Sequence, residues 1–185
     1  LASRGRQRGM VTKPVGRRKS PVWLCGGLGA LFLAACGHAP EPCPAAEPIE
    51  VILRAGDRLN PGETGEALPT TVRLYQLKDI GRLTAATLEQ VLDNDRSVLG
   101  EDLLWVKEIT LYPGEANKTL LDRREGAAVL ALVAFFRHAT GSGWRAASQL
   151  PPPNPFHCHA EDGERRRPLL RFGLNDNHIS PGGIR

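Results

Sequence analysis

Thr70-Thr71-Val72-Arg73-Leu74-Tyr75-Gln76-Leu77-Lys78 reads as a β-strand. β-branched and aromatic residues are dense in it, and such side chains fit a pleated, packed surface. On its N-terminal side, residues 50–55 alternate. Val51, Leu53 and Ala55 share one face, and Glu50, Ile52 and Arg54 the other. Between the two strands lies a polar stretch, 56–69, holding Asn60-Pro61-Gly62 and Gly65. These are turn residues, and a link of this length between strands belongs to the class that carries function.

Beyond Lys78, Gly81 breaks the strand pattern. Leu83, Leu88, Val91 and Leu92 then follow helical spacing, with Thr84 as the cap and Asp93-Asn94-Asp95 as the end. Further strands are expected at 103–111, stopped by Pro113-Gly114, and at 118–121. Another is expected at the continuously apolar 127–136, and others at 144–150, 156–159 and 168–174. Residues 151–155 read as a rigid Pro-rich linker, and 175–185 as a flexible C-terminal tail. Many short strands with one helical insertion predict an all-β, two-sheet sandwich over 50–174.

The N-terminal part follows different rules. Arg17-Arg18-Lys19 precedes an apolar, Gly-containing run over 22–35 that closes with Leu33-Ala34-Ala35-Cys36. The run is shorter than the roughly 20 apolar residues of a membrane span. A basic region, an apolar region and a small-small-Cys ending read as a bacterial lipoprotein signal. On this reading Cys36 carries the lipid, Met10 is the start, and residues 1–35 comprise an N-terminal extension and the signal peptide. Gly37, rather than Asp, follows the lipid site, which permits sorting to the outer membrane. Residues 36–49 then form the lipidated Cys and an extended tether with Pro40, Pro42, Pro44 and Pro48. At about 3.1 Å per residue this spacer spans roughly 40 Å.

Removing the signal changes the charge. Residues 1–36 hold seven of the 24 basic residues and no acidic ones, leaving 17 basic against 20 acidic residues, a net −3. That balance argues against a nucleic-acid partner, which requires a basic surface. Arg165-Arg166-Arg167 follows Glu161, Asp162 and Glu164 and reads as a solvated turn of mixed charge. Cys25 leaves with the signal, so Cys43 and Cys158 remain as an even pair in an oxidising compartment. Counting leaves both a disulfide and two separate thiols open.

The sequence holds no phosphate-binding loop. Gly141-Ser142-Gly143 lacks the spacing of a nucleophile elbow. Asp93-Asn94-Asp95 lacks the central Gly and distal Glu of a calcium loop. His157-Cys158-His159, on a strand, places both imidazoles on one face. Two His can begin a zinc site, but no third ligand announces itself. No catalytic residue, metal or cofactor is assigned. A periplasmic metal enzyme using His157 and His159, and a carrier of small ligands, stand as alternatives.

Several strings, in order, resemble the TssJ (SciN/VasD-like) lipoproteins of type VI secretion systems. They are Leu59-Asn60-Pro61, Val72-Arg73-Leu74-Tyr75-Gln76-Leu77-Lys78, Leu99-Gly100-Glu101-Asp102-Leu103-Leu104, Leu111-Tyr112-Pro113-Gly114-Glu115, Val133-Ala134-Phe135-Phe136-Arg137 and Trp144-Arg145. The resemblance covers about residues 50–174. It implies a transthyretin-like β-sandwich with a small helical insertion, held on the periplasmic face of the outer membrane by acyl chains on Cys36. It also implies a docking role without catalysis or small-molecule substrate. The implied partner is the periplasmic C-terminal domain of TssM, the inner-membrane component. The contact loop is 57–71, with Asp57, Arg58, Leu59, Asn60, Glu63 and Glu66 as contacts and Asn60-Pro61-Gly62 setting its shape. The family does not generally supply a Cys43–Cys158 pair, so that pairing rests on counting alone.

Overall fold

The computed structural model describes residues 39–160 and 167–182. The expected lipid site, Cys36, and the signal before it lie outside the described residues, as do Arg165 and Arg166.

Among the described residues, eight strands form two four-stranded sheets. Their bounds are β1 Ile49–Leu59, β2 Thr70–Leu77, β3 Leu103–Leu111, β4 Ala116–Leu121, β5 Val129–Ala134, β6 Arg145–Gln149, β7 Leu169–Asp176 and β8 His178–Gly182. One sheet runs β4-β1-β7-β8 and the other β3-β2-β5-β6. Every pairing is antiparallel except β1 with β7. The sheets meet along one side, where Ile179 N–H donates to Gly143 O at 2.8 Å. The all-β sandwich is as expected from the sequence.

The alternation in β1 arises because one face is buried. Ile49, Val51 and Leu53 are fully enclosed, whereas Arg54 is exposed. β5 is buried at every position because both of its faces are covered. Leu74 of β2 lies opposite Leu132 of β5, and Tyr75 lies opposite Ala131. Opposed residues share a face. Leu74 therefore points between the sheets, and Tyr75 points to the outer face beneath the helical insertion.

That insertion is two helices, α1 Gly81–Ala85 and α2 Leu88–Leu99. The expected cap, Thr84, instead bonds back to Ile80 O. The cap is Thr87, whose hydroxyl accepts from Gln90 N–H while the Gln90 side chain accepts from Thr87 N–H. This is a reciprocal capping box. Asp93-Asn94-Asp95 does not end the helix. The chain kinks at Asn94 (φ −156°, ψ 71°) and continues to Leu99, and Asn94 Oδ1 caps the second part by accepting from Ser97 N–H. Asp95 accepts from the Tyr75 hydroxyl (2.9 Å) and pairs with Arg73 (3.3 Å). Arg145 Nη1 donates to Leu83 O and Ala86 O, fixing α1 to β6.

Two further expectations change. Within the expected tail at 175–185, His178–Gly182 forms β8, which pairs with β7 and buries Ile179. Residues 156–159 form no strand. His157–His159 is a 3₁₀ turn, which the Pro-rich approach favours over sheet pairing. Phe156 and Tyr112 are exposed. Among the described residues no helix is long and apolar enough to cross a membrane.

Candidate docking loop and the stapled tether

β1 spans the sandwich from end to end, and a candidate functional feature sits at each end. At its C-terminal end the strand bulges. Ala55 faces Leu174 and Leu59 faces Asp176, so four residues of advance in β1 meet two in β7. The bulge throws Asp57 and Arg58 outward, where Arg58 Nη2 pairs with Asp176 Oδ1 at 2.7 Å. Both residues thus belong to a strand rather than to the loop. Leu59 returns to the core and is completely buried. It therefore cannot be the loop's apolar contact, because its hydrophobic surface is already spent on the sandwich.

Asn60 organises the loop beyond the bulge. It takes the left-handed conformation (φ 47°), which Asn tolerates better than most residues. Its side chain is buried and bonded at both ends: Nδ2 donates to Pro69 O (3.0 Å), and Oδ1 accepts from Arg137 N–H (2.8 Å). Its own N–H donates to Asp176 O. The neck is closed by Leu68 N–H on Leu59 O, and the tip by Gly62 N–H on Glu66 O. Gly65 has φ +86°, the left-handed region that favours glycine. The Glu66 carboxylate accepts from both the hydroxyl and the N–H of Thr64. The Thr64 hydroxyl, with backbone N–H groups, holds the Glu66 carboxyl below the usual carboxylate range. Glu63, Thr64, Gly65 and Glu66 are exposed at the tip, with Pro61 and Gly62 half-buried below them.

Sequence reasoning missed the neighbouring wall. Residues 135–140 run beside the loop, held by Thr70 Oγ1 on Phe135 O and by Phe135 N–H on Thr71 O. Arg137 adds a positive charge that acts on Glu66. A groove of ≈ 520 Å³ lies between this segment and α2, lined by Leu88, Leu92, Arg137 and His138. Leu92 is half exposed there. The available signal was Val133-Ala134-Phe135-Phe136-Arg137, which runs on past the end of its strand.

At the opposite end the tether is attached to the domain. Cys43 and Cys158 form a disulfide. Cys43 N–H also donates to Pro155 O (2.6 Å), and His159 Nε2 donates to Glu41 O (2.6 Å). Glu47 and Arg123 are both buried side chains, 3.9 Å apart, and Arg123 Nη2 donates to Ala127 O. Burial pushes the Arg123 pKa down, and Glu47 opposes that shift. Residues 41–48 are therefore not the free spacer that their prolines suggest. Gln76, fully buried at this end of β2, donates to Asp122 O (2.9 Å) and accepts from Arg124 N–H (2.8 Å).

His157 and His159 do not share a strand face. His157 Nδ1 donates to Asn154 O, while His159 bonds to the tether. Cys43, Cys158 and His159 bring potential ligand atoms within 4.8 Å of one another, but the two sulfurs are bonded to each other. This arrangement does not assemble the expected pair of imidazole ligands.

Comparison with known proteins agrees with the fold. The family profile described as type VI secretion lipoprotein, VasD, EvfM, TssJ matches residues 47–166. The chain is similar to the T6SS lipoprotein TssJ1 from Pseudomonas aeruginosa (29% identity, TM-score 0.62, covering 76% of this chain and 97% of that one). It is similar in fold to Serratia marcescens Lip, a membrane-bound component of the type VI secretion system (18% identity, TM-score 0.65, covering 74% and 98%). It also matches, at 21% identity and TM-score 0.58, a chain of a structure described as the T6SS protein TssM C-terminal domain from EAEC, covering 75% and 99%. No curated protein sequence matches it significantly.

Proposed function

Since the chain belongs to the SciN/TssJ family of type VI secretion lipoproteins, structural components of the secretion system and not enzymes, we propose that it anchors that system's membrane complex at the outer membrane. In this reading Cys36 carries acyl chains that hold the protein on the periplasmic face. Several chains together make release slow, each buried CH₂ contributing about 0.8 kcal/mol. The loop at 60–69 docks the periplasmic C-terminal domain of a TssM-like inner-membrane protein.

The observation that carries the reading is the placement of tether and loop at opposite ends of β1. The strand Ile49–Leu59 is 11 residues long. Its bulge takes up two of those residues against β7, so at about 3.3 Å per residue its ends lie roughly 26 Å apart. A module that links two membranes needs its anchor and its grip to face opposite ways. The exposed carboxylates Glu63 and Glu66 and the bulged Asp57 and Arg58 supply charge for recognition. Leu92, in the adjoining groove, takes the apolar role that Leu59 cannot fill. Asn60, Pro61 and Gly62 hold the loop's shape rather than touch the partner through their side chains.

A soluble form beginning at Ala39 should be captured by the periplasmic domain of the TssM-like protein encoded alongside it. Deleting Gly62 through Leu68 should abolish capture while the far-ultraviolet dichroism of the sandwich is retained. Undiminished capture by the deletion would remove the loop assignment. Failure of the intact form would remove the partner.

A further inference from the structure

We propose that the short, stapled tether holds the disulfide end of the domain, with exposed Phe156 and Pro155, directly against the lipid surface, so that the 60–69 loop must project away from it. The inference rests on lipidation of Cys36 as proposed above, and it adds a bilayer-contacting face and a fixed orientation.

Reach decides the orientation. A trans peptide chain spans at most about 3.6 Å per residue, so Cys43 lies no farther than about 25 Å along the chain from Cys36. The Glu41–His159 contact moves the held point to Glu41, five residues from Cys36 and so at most about 18 Å from it. Inverting the domain, so that the loop faced the bilayer, would lift the tether end by the length of the bulged β1, about 26 Å. The stapled tether cannot reach that far. The free spacer of roughly 40 Å expected from the prolines alone could have.

The surface thus brought down suits a bilayer interface. Phe156 is 43% exposed, and Pro152, Pro153 and Pro155 beside it are exposed. An exposed aromatic at the end of a tethered domain can settle at headgroup level, where aromatic rings are favoured. Charge is not the driving force. Arg124 and Glu125 line the groove beside Pro152 and Pro155, and Glu41 lies against His159, so the charge there is mixed. The tether supplies the proximity and the apolar residues accept it.

The test uses the full lipidated protein in vesicles of phosphatidylethanolamine and phosphatidylglycerol, with and without a lipid carrying a nitroxide headgroup. Phe156→Trp and Glu63→Trp report the two ends after subtraction of the parent's own emission. The added tryptophan at the disulfide end should be quenched at least about threefold more than the one in the loop. Inserting a twelve-residue Gly/Ser segment between Ala39 and Pro40 should bring the two towards equality. Equal quenching without the insertion, or an unchanged ratio with it, overturns the proposal. Flotation with the vesicles is read in the same samples, with Cys36→Ser as the control. A parent protein that does not float overturns the lipid anchor as well, and so separates the two failures.

Discussion

Tyr75 donates its phenolic hydrogen to Asp95 Oδ2 across 2.9 Å, joining the second strand of the sandwich to the helix that covers it. Arg73, two residues earlier on the same face, reaches the same carboxylate and stacks over the Phe135 ring with its guanidinium carbon 4.8 Å from the centroid. This small polar network sits where the sheet would otherwise need only apolar cover. It selects how α2 lies on the sheet, because a hydrogen-bonded carboxylate tolerates less displacement than a leucine would.

Tyr75→Phe removes the donor and leaves Asp95 with Arg73 alone. A hydrogen bond to a charged group contributes roughly 1.5–3 kcal/mol, and the remaining arginine offsets part of that. A loss of about 1–2 kcal/mol in urea unfolding is expected. Burial first, and the Asp95 contact second, push the Tyr75 pKa up. A group whose pKa is raised by folding contributes its stability below the unfolded value and loses it as pH rises through the folded one. The Tyr75 absorbance change at alkaline pH should therefore coincide with unfolding. Ionisation of Tyr75 near its unfolded pKa in a folded protein would contradict this.

Gln76→Leu keeps the volume but orphans Asp122 O and Arg124 N–H, both tied to this side chain. Unsatisfied buried groups cost about 1–3 kcal/mol each. Destabilisation should exceed that of Gln76→Glu at low pH, where the protonated acid can still donate and accept. Equal effects would show that neither bond matters.

Asn60→Ala should weaken capture of the TssM-like domain by roughly tenfold or more, even though Asn60 exposes almost nothing. The loss would come from a loop freed at Pro69 and Arg137. Asn60→Gly relieves the positive-φ strain, worth about 1–2 kcal/mol, but restores neither bond. It should therefore be the more stable of the two variants and bind just as poorly. Normal capture by both would assign Asn60 to the sandwich alone.

The Glu66 carboxyl should titrate below its unperturbed value in a carbon-detected NMR series, and Thr64→Ala should return it upward. The sign comes from a depressed folded-state pKa: the tip is most ordered above the unfolded value and loosens as pH falls through the folded one. Glu66 is fully exposed, so the readout is local order rather than global stability.

Reduction of the Cys43–Cys158 bond releases a closure over 115 residues. The chain-entropy relation puts such a link at roughly 4–5 kcal/mol. The midpoint in denaturant should fall markedly with a thiol reductant present, and Cys43→Ser/Cys158→Ser should match it without one. Insensitivity to reductant would mean that the two cysteines are not bonded in solution.

Strands whose two faces differ, such as β1 and β7, are legible in the sequence alone, because period-two alternation records one buried side. So are the continuously apolar β5 and the loop whose Asn, Pro and Gly announce turns. The composition of the first 36 residues separates a signal-like segment from the acidic domain. The features that stay hidden in the sequence depend on partners far away along the chain. Residues 178–182 look too polar to fold until β7 offers them an edge to pair with. Leu59 looks like an exposed loop residue until the bulge at Asp57 and Arg58 turns it inward. Asp95 reads as a helix end until Tyr75 comes to meet it. The prolines from 40 to 48 describe a free spacer until Cys158 arrives from 115 residues away. Local chemistry records which face a residue prefers. Closure of the two sheets selects the distant group that occupies that face, and so where this domain is held and where it is free to bind.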